Sequence, residues 1–161
     1  MSSTPWWRGA RGEWYFVVQL VLFALILLAP LAPGQLAWPA AVSLPLRAAG
    51  LVIAAVGGGL GLAGLLGLGR NLSVLPHPKD DAELVQGGVY GLVRHPIYAG
   101  LIIGALGWAL LTNSLAALAL AVVLFVFFDI KSRREERQLR ARFADYAAYQ
   151  RRVRKFFPFL Y

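Results

Sequence analysis

Four apolar stretches take up most of the chain between Trp14 and Ile130 and constrain what it can fold into. They run from about Trp14 to Ala29, Ala48 to Gly69, Ile97 to Leu111 and Leu115 to Ile130. A helix that crosses a bilayer needs roughly 20 apolar residues, with a range of about 17–25. The second stretch meets that length alone, and the other three need their flanks. Hydrophobic residues make up 58% of the chain, against about 45–50% apolar residues in soluble domains. Lipid is therefore the expected solvent. The expected class is an all-α integral membrane protein with about four transmembrane helices plus a cytoplasmic amphipathic C-terminal helix, in one domain.

Prolines and short polar breaks set the connections. Pro30 and Pro33 end the first helix, and Pro39 and Pro45 are expected to keep the first connection non-helical. Thr112, Asn113 and Ser114 alone separate the third and fourth stretches, which implies an antiparallel helical hairpin. Basic residues preceding the first stretch suggest a signal peptide, but the run is long for one and Pro follows it.

The net charge of +8 is unevenly distributed. Ten of the 16 basic residues lie from Lys131 onward, directly after an apolar run. Such juxtamembrane clusters mark the cytoplasmic side and attract anionic headgroups, so a membrane lipid partner is expected and a nucleic-acid partner is not. Arg8 and Arg11 precede the first helix, Arg70, Lys79 and Arg94 lie between the second and third, and only Arg47 falls on the opposite side. Four spans with both termini cytoplasmic satisfy this distribution, and a bacterial cytoplasmic membrane is the expected location. Trp6, Trp7, Trp14, Trp38 and Trp108 fall near helix ends, as interfacial aromatics do.

The second stretch carries Gly57, Gly58, Gly59, Gly61, Gly64, Gly67 and Gly69. Gly57 and Gly61 share a helix face, which suits close approach of a neighbouring helix. After Ile130 the chain is dense in charge, with Leu139, Phe143, Tyr146, Tyr149, Val153 and Phe156 at helical spacings. A helix along the cytoplasmic face, ended by Pro158, is expected there.

Two groups of residues could carry chemistry. Pro96 occupies a favoured first-turn position of the third helix, which places Arg94 and His95 at its N-terminal mouth, where free N–H groups attract anions. Tyr98 and Gly100 fall in the first turn and leave room for a flat ligand. Interfacial anchoring explains the same residues slightly better from physics alone. Glu135 and Glu136 point about 100° apart on a helix. Pairing of Glu135 with Lys131 and of Glu136 with Arg140 would make them a solvated charged face. The hairpin, however, brings both groups to the same side of the membrane. A cationic cluster beside two carboxylates suits a zwitterionic ligand with an added cation. No dense ligand cluster points to a metal: the two histidines, His77 and His95, lie far apart in the sequence. The absence of cysteine excludes disulfides, thiolate metal sites and a cysteine nucleophile.

At these residues the chain resembles the isoprenylcysteine carboxyl methyltransferase family and its phospholipid N-methyltransferase relatives. One block is Arg94-His95-Pro96-Ile97-Tyr98-Ala99-Gly100, preceded by Leu84-Val85-Gln86-Gly87-Gly88-Val89-Tyr90. The other runs from Glu135-Glu136-Arg137-Gln138-Leu139 through Phe143 to Tyr146, Tyr149, Val153, Lys155 and Pro158. Departures occur at Asp81-Ala82-Glu83, where the family often has a His, and at Val89, Ala144 and Lys155.

The resemblance implies a membrane-embedded methyltransferase that uses S-adenosyl-L-methionine. Residues 1–69 would supply two N-terminal helices, and residues 70–161 the cofactor-binding half. Leu84 and Val85 would offer backbone bonds and apolar contact. Tyr90, His95 and Tyr98 would hold the adenosine and amino-acid parts. Glu135 or Glu136 would bind the ribose or the ammonium, and Arg94 an acceptor carboxylate. The acceptor would be a lipophilic small molecule or a lipidated group reached from the bilayer. An NADPH-dependent membrane reductase and a non-catalytic helper subunit are the alternatives.

Overall fold

The computed structural model describes residues 13–34, 36–69, 83–158 and 160. Five α-helices form among them: α1 (Glu13–Leu28), α2 (Ala40–Leu68), α3 (Pro96–Leu111), α4 (Leu115–Arg142) and α5 (Tyr146–Arg152). Short 3-10 turns cover Ala29–Leu31 and Gly88–Gly91. Trp6, Trp7, Arg8, Arg11, Arg70, His77, Lys79, Asp81 and Ala82, named in the sequence reading, lie outside the described residues.

Three segments are long and apolar enough to cross a membrane: Glu13–Leu31, Ala40–Leu68 and Leu115–Arg142. Helix α3 has 16 residues, a length of about 24 Å at 1.5 Å per residue. It packs against both α2 and α4, while α1 lies against α4. The apolar core gathers Leu22 and Ile26 of α1, Ala99, Ile102 and Ala105 of α3, and Ala121, Leu124 and Phe128 of α4. Trp108 on α3 donates its indole N–H to Ile26 O at 3.1 Å, fixing the end of α1.

Glycine brings α2 and α3 into backbone contact. A β-carbon on Gly57 would overlap the backbone of Gly104 and Gly100, and one on Gly100 would overlap Gly61. The same holds for Gly107 against Ala54 and for Gly50 against Leu111. The expected packing face through Gly57 and Gly61 is therefore present, and Gly50 and Gly64 extend it. Gly58 and Gly59 point into open space and take no part in it.

Two boundaries differ from expectation. Pro45 does not keep the first connection open but lies inside α2, which begins at Ala40. A proline removes one helical hydrogen bond, and so close to the helix start only the carbonyl of Ala41 loses its partner. The C-terminal amphipathic helix does not start afresh at Lys131. No Gly or Pro falls between Leu115 and Arg142, so α4 runs unbroken from the apolar stretch into the charged one. An extended residue at Phe143 turns the chain, and the short α5 follows. That helix ends at Arg152, well before Pro158, because the next residues pair elsewhere.

The hairpin between α3 and α4 forms as expected. Asn113 takes a positive φ of 56°, a conformation its short polar side chain tolerates. Ser114 caps α4 by accepting from Ala117 N at 3.2 Å. Asn113 Oδ1 also accepts from Trp38 N at 2.9 Å, tying the α1–α2 connection to this turn.

Candidate active site

Residues 93–95 and 153–156 run side by side as a short parallel bridge. Arg94 N donates to Arg154 O at 2.8 Å and His95 N donates to Lys155 O at 3.1 Å. This C-terminal strap explains why α5 stops early: its next backbone groups serve Arg94 and His95. Phe156 is fully buried, and its ring meets those of His95 and Phe125 edge-on at 6.0 Å each. Lys155 Nζ donates to Asp129 Oδ1 at 2.6 Å and so pins the strap to α4.

The hairpin brings the two motif blocks together. Arg94 Nε donates to Glu136 Oε1 at 2.9 Å, and the two side chains are only 8% and 6% exposed. His95 Nε2 lies 3.2 Å from the same oxygen. Gln150 Nε2 donates to Glu136 Oε2 at 2.8 Å. Arg94 Nη1 also donates to the carbonyls of Gln150 and Val153. Glu136 is thus held between the two residues that precede α3 and Gln150 of α5. Arg94, expected to face an acceptor, forms a clasp that spends Nε and Nη1 inside the protein.

Glu135 has a different environment. Tyr98 Oη donates to Glu135 Oε1 at 2.5 Å. Its second oxygen lies 3.7 Å from His95 Nδ1, beyond hydrogen-bonding range. Among the described residues Glu135 therefore keeps spare acceptor capacity in a largely buried setting. The rings of His95, Tyr98 and Phe128 form a stack, with centroids 5.5 Å apart in the first pair and 4.3 Å in the second.

The remaining expected site residues lie further out. Tyr90 Oη donates to Gly64 O at 3.2 Å, and its carbonyl accepts from Tyr149 Oη at 2.6 Å. Burial, with the charge of Glu135 in second place, pushes the Tyr90 hydroxyl up to about 12, so it stays a proton donor at neutral pH. Burial also raises Tyr146 and Tyr149 well above the ordinary tyrosine range. Tyr90 thus anchors the Gly88–Gly91 turn to α2, over Gly67. Leu84 and Val85 are half-buried in a stretch without regular secondary structure, held at Gln86, whose Oε1 accepts from Arg152 Nη2 at 3.0 Å. No hydrogen bond or ion pair joins Leu84 or Val85 to the carboxylates among the described residues. None of the expected local pairs forms: Lys131 donates to Gln19 and Arg140 to Gln150.

Sequence reasoning missed Gln150, the Gln19 partner of Lys131 and the Asp129–Lys155 pair. Asp129 carried a signal, since a carboxylate within an apolar run needs a partner. Gln150 carried none. Among the described residues, no group of three or more His, Cys, Asp or Glu is arranged to hold a metal ion.

A family model described as phospholipid methyltransferase matches residues 46–146. The chain belongs to that family. The match takes in most of α2, all of α3 and α4, and the start of α5. The cobalt-zinc-cadmium resistance protein CzcN of Cupriavidus metallidurans is 33% identical over 94% of this chain and 64% of its own length. A probable protein-S-isoprenylcysteine O-methyltransferase of Oryza sativa is 34% identical over 69% of this chain and 60% of its own length. The chain thus spans less than two thirds of these relatives. The solved structure of a eukaryotic intramembrane Ras methyltransferase, isoprenylcysteine carboxyl methyltransferase, aligns with a TM-score of 0.65 and 25% identity. That alignment covers 92% of this chain and 53% of the solved one. The family member described here therefore shares the helical membrane fold of that enzyme.

Proposed function

We propose that this protein is an S-adenosyl-L-methionine-dependent methyltransferase acting on a lipophilic or amphiphilic acceptor in the membrane. The observation that carries the reading is Glu135: a largely buried carboxylate with spare acceptor capacity, beside a stack of aromatic rings. Such a donor and acceptor set fits a ligand with an ammonium, ribose hydroxyls and a flat base. Family membership and the named methyltransferases among its relatives support the same reading.

S-adenosyl-L-methionine supplies an electrophilic methyl group on a sulfonium. Glu135 would hold the ribose or the ammonium, and Tyr98 and His95 would bound the ligand. Glu136 holds Arg94 and His95 in place and acts as a positioning residue. The Arg94 Nη2 edge remains for an acceptor anion. Leu84, Val85 and Tyr90 would close the ligand from the side of the Gly88–Gly91 turn. Methyl transfer is an in-line displacement, so the chain's main contribution is orientation and exclusion of water rather than acid–base chemistry. The site belongs on the cytoplasmic face, with both termini on that side, and the acceptor reaches it from the bilayer at headgroup depth.

Calorimetry on detergent-purified protein tests this with S-adenosylmethionine, S-adenosylhomocysteine and NADPH. Micromolar binding of the first two, weakened about tenfold in Glu135→Gln, is the expected result. Binding of NADPH instead would make it a reductase, and binding of none would leave a helper subunit. The orientation is tested separately, since the native chain has no cysteine. Arg137→Cys should label from the cytoplasmic side and Ala32→Cys from the opposite one.

A further inference from the structure

Lys131 is 2% exposed, although it stands where α4 passes from apolar to charged sequence. Its ammonium donates to Gln19 Oε1 at 2.8 Å and lies 5.1 Å from the centroid of the Tyr98 ring. Gln19 is a neutral amide, the only one in α1. Among the described residues no carboxylate comes within 4.0 Å of this ammonium. The ammonium's hydrogen bond goes to a neutral amide, and the charge of Glu135 acts on it only from beyond ion-pair distance, whereas buried charges normally pair directly with opposite charge. Glu135 lies one helical turn further along the same face of α4. The two do not pair with each other; Glu135 turns to Tyr98 and Lys131 to Gln19. Tyr98 touches both, donating to Glu135 and facing Lys131 with its ring.

An unpaired cation and an under-used carboxylate, one turn apart with a tyrosine between them, match a zwitterion whose two charges sit on one carbon. We propose that Lys131 is the residue that binds the α-carboxylate of the cofactor's amino-acid end, exchanging its Gln19 amide for a carboxylate partner. The inference rests on the methyltransferase reading and adds to it a residue that this reading does not need. Glu135 then faces the adjacent ammonium. The arrangement selects ligands that carry a free amino-acid group over those that carry only the nucleoside.

The test is calorimetry on the full chain in detergent with two probes. One is S-adenosylhomocysteine, and the other is S-adenosyl-3-thiopropylamine, which lacks the carboxylate alone. The wild-type protein is expected to bind the second probe about tenfold or more weakly. Lys131→Met should lose a similar factor for S-adenosylhomocysteine and bind the two probes alike, and Lys131→Arg should restore most of the discrimination. Equal wild-type affinity for the two probes overturns the proposal, and this comparison stands even if Lys131→Met does not fold. So does a Lys131→Met protein that keeps wild-type affinity, or one that weakens both probes equally. Wild-type protein that binds neither probe defeats the methyltransferase reading itself. Binding of S-adenosylhomocysteine that is sensitive to Glu135→Gln but not to Lys131→Met defeats this inference alone.

Discussion

Arg94 and Glu136 are 42 positions apart in sequence and meet through a 2.9 Å hydrogen bond in the interior of the protein. The same carboxylate oxygen also meets His95, and the other oxygen accepts from Gln150. Removing one member of a buried ion pair leaves the other charge uncompensated, at a cost of about 3–5 kcal/mol. Glu136→Ala should therefore lower stability by about that amount, read by thermal unfolding in detergent. Arg94→Met combined with Glu136→Met should recover part of the loss, because no charge is then left alone. An additive double variant would show that the two residues act independently.

Glu135 should behave differently although it is the adjacent residue. It makes one hydrogen bond, from Tyr98, which a glutamine oxygen can also accept. Glu135→Gln should leave stability within about 1 kcal/mol while weakening S-adenosylhomocysteine. A stability loss equal to that of Glu136→Ala would mean that both carboxylates are structural.

How far the sequence reveals this site follows from where each partner lies. The two motif blocks and the hairpin that joins them are legible, because Pro96, the short Thr112–Ser114 break and the flanking apolar runs fix which ends meet. The partners of Glu135 and Glu136 are not legible. Helical spacing offers Lys131 and Arg140 as local partners, but Arg94 and Tyr98 reach the carboxylates from α3 and its N-terminal mouth. For Glu136, an ion pair with little solvent around it outweighs an i,i+4 pair with the exposed Arg140. The strap is invisible for a related reason: Val153 and Phe156 continue a helical spacing, yet the chain turns extended at Val153, and Arg154 and Lys155 between them pair with residues 93–95.

The α2–α3 contact gives the clearest test of the fold. At Gly57, Gly100 and Gly107 a methyl group would overlap opposing backbone, which has no flexible end to move aside. Alanine at any of these sites should cost about 1–3 kcal/mol or more through forced separation of the helices. Alanine at Gly58 or Gly59, which face open space, should stay within about 0.5 kcal/mol. Thermal unfolding of the five variants in one detergent separates the two classes. Equal sensitivity at Gly58 would place a second contact on that face.

The strap makes a prediction about local order. Lys155 and Asp129 are joined at 2.6 Å with side chains 10% and 15% exposed. Breaking this link with Lys155→Met should loosen residues 153–156 and, with them, the carbonyls that receive Arg94 N and His95 N. Hydrogen exchange should then accelerate at the Arg94 and His95 amides while the centres of α2 and α3 keep their protection. Lys155→Arg retains the charge and should restore the slow exchange. Unchanged exchange at both amides in Lys155→Met would assign their protection to α3 rather than to the strap.

Alkaline pH tests the buried tyrosines. An unfolded tyrosine titrates near 10.0, whereas Tyr90 is held at about 12 by burial, and Tyr146 and Tyr149 shift in the same direction. Between these values the folded protein holds protons that the unfolded chain has released. The unfolded state then binds fewer protons, so stability must fall as pH rises. The contribution is fully present below pH 10 and is lost through the window up to about 12. Unfolding midpoints measured from pH 8 upward should therefore decline steeply above 10. Tyr90→Phe removes one titrating group and should flatten that decline, while lowering stability at pH 8 through loss of the Gly64 hydrogen bond. An unchanged alkaline slope in Tyr90→Phe would mean that Tyr90 releases its proton as readily folded as unfolded, and that its hydroxyl is not committed to Gly64.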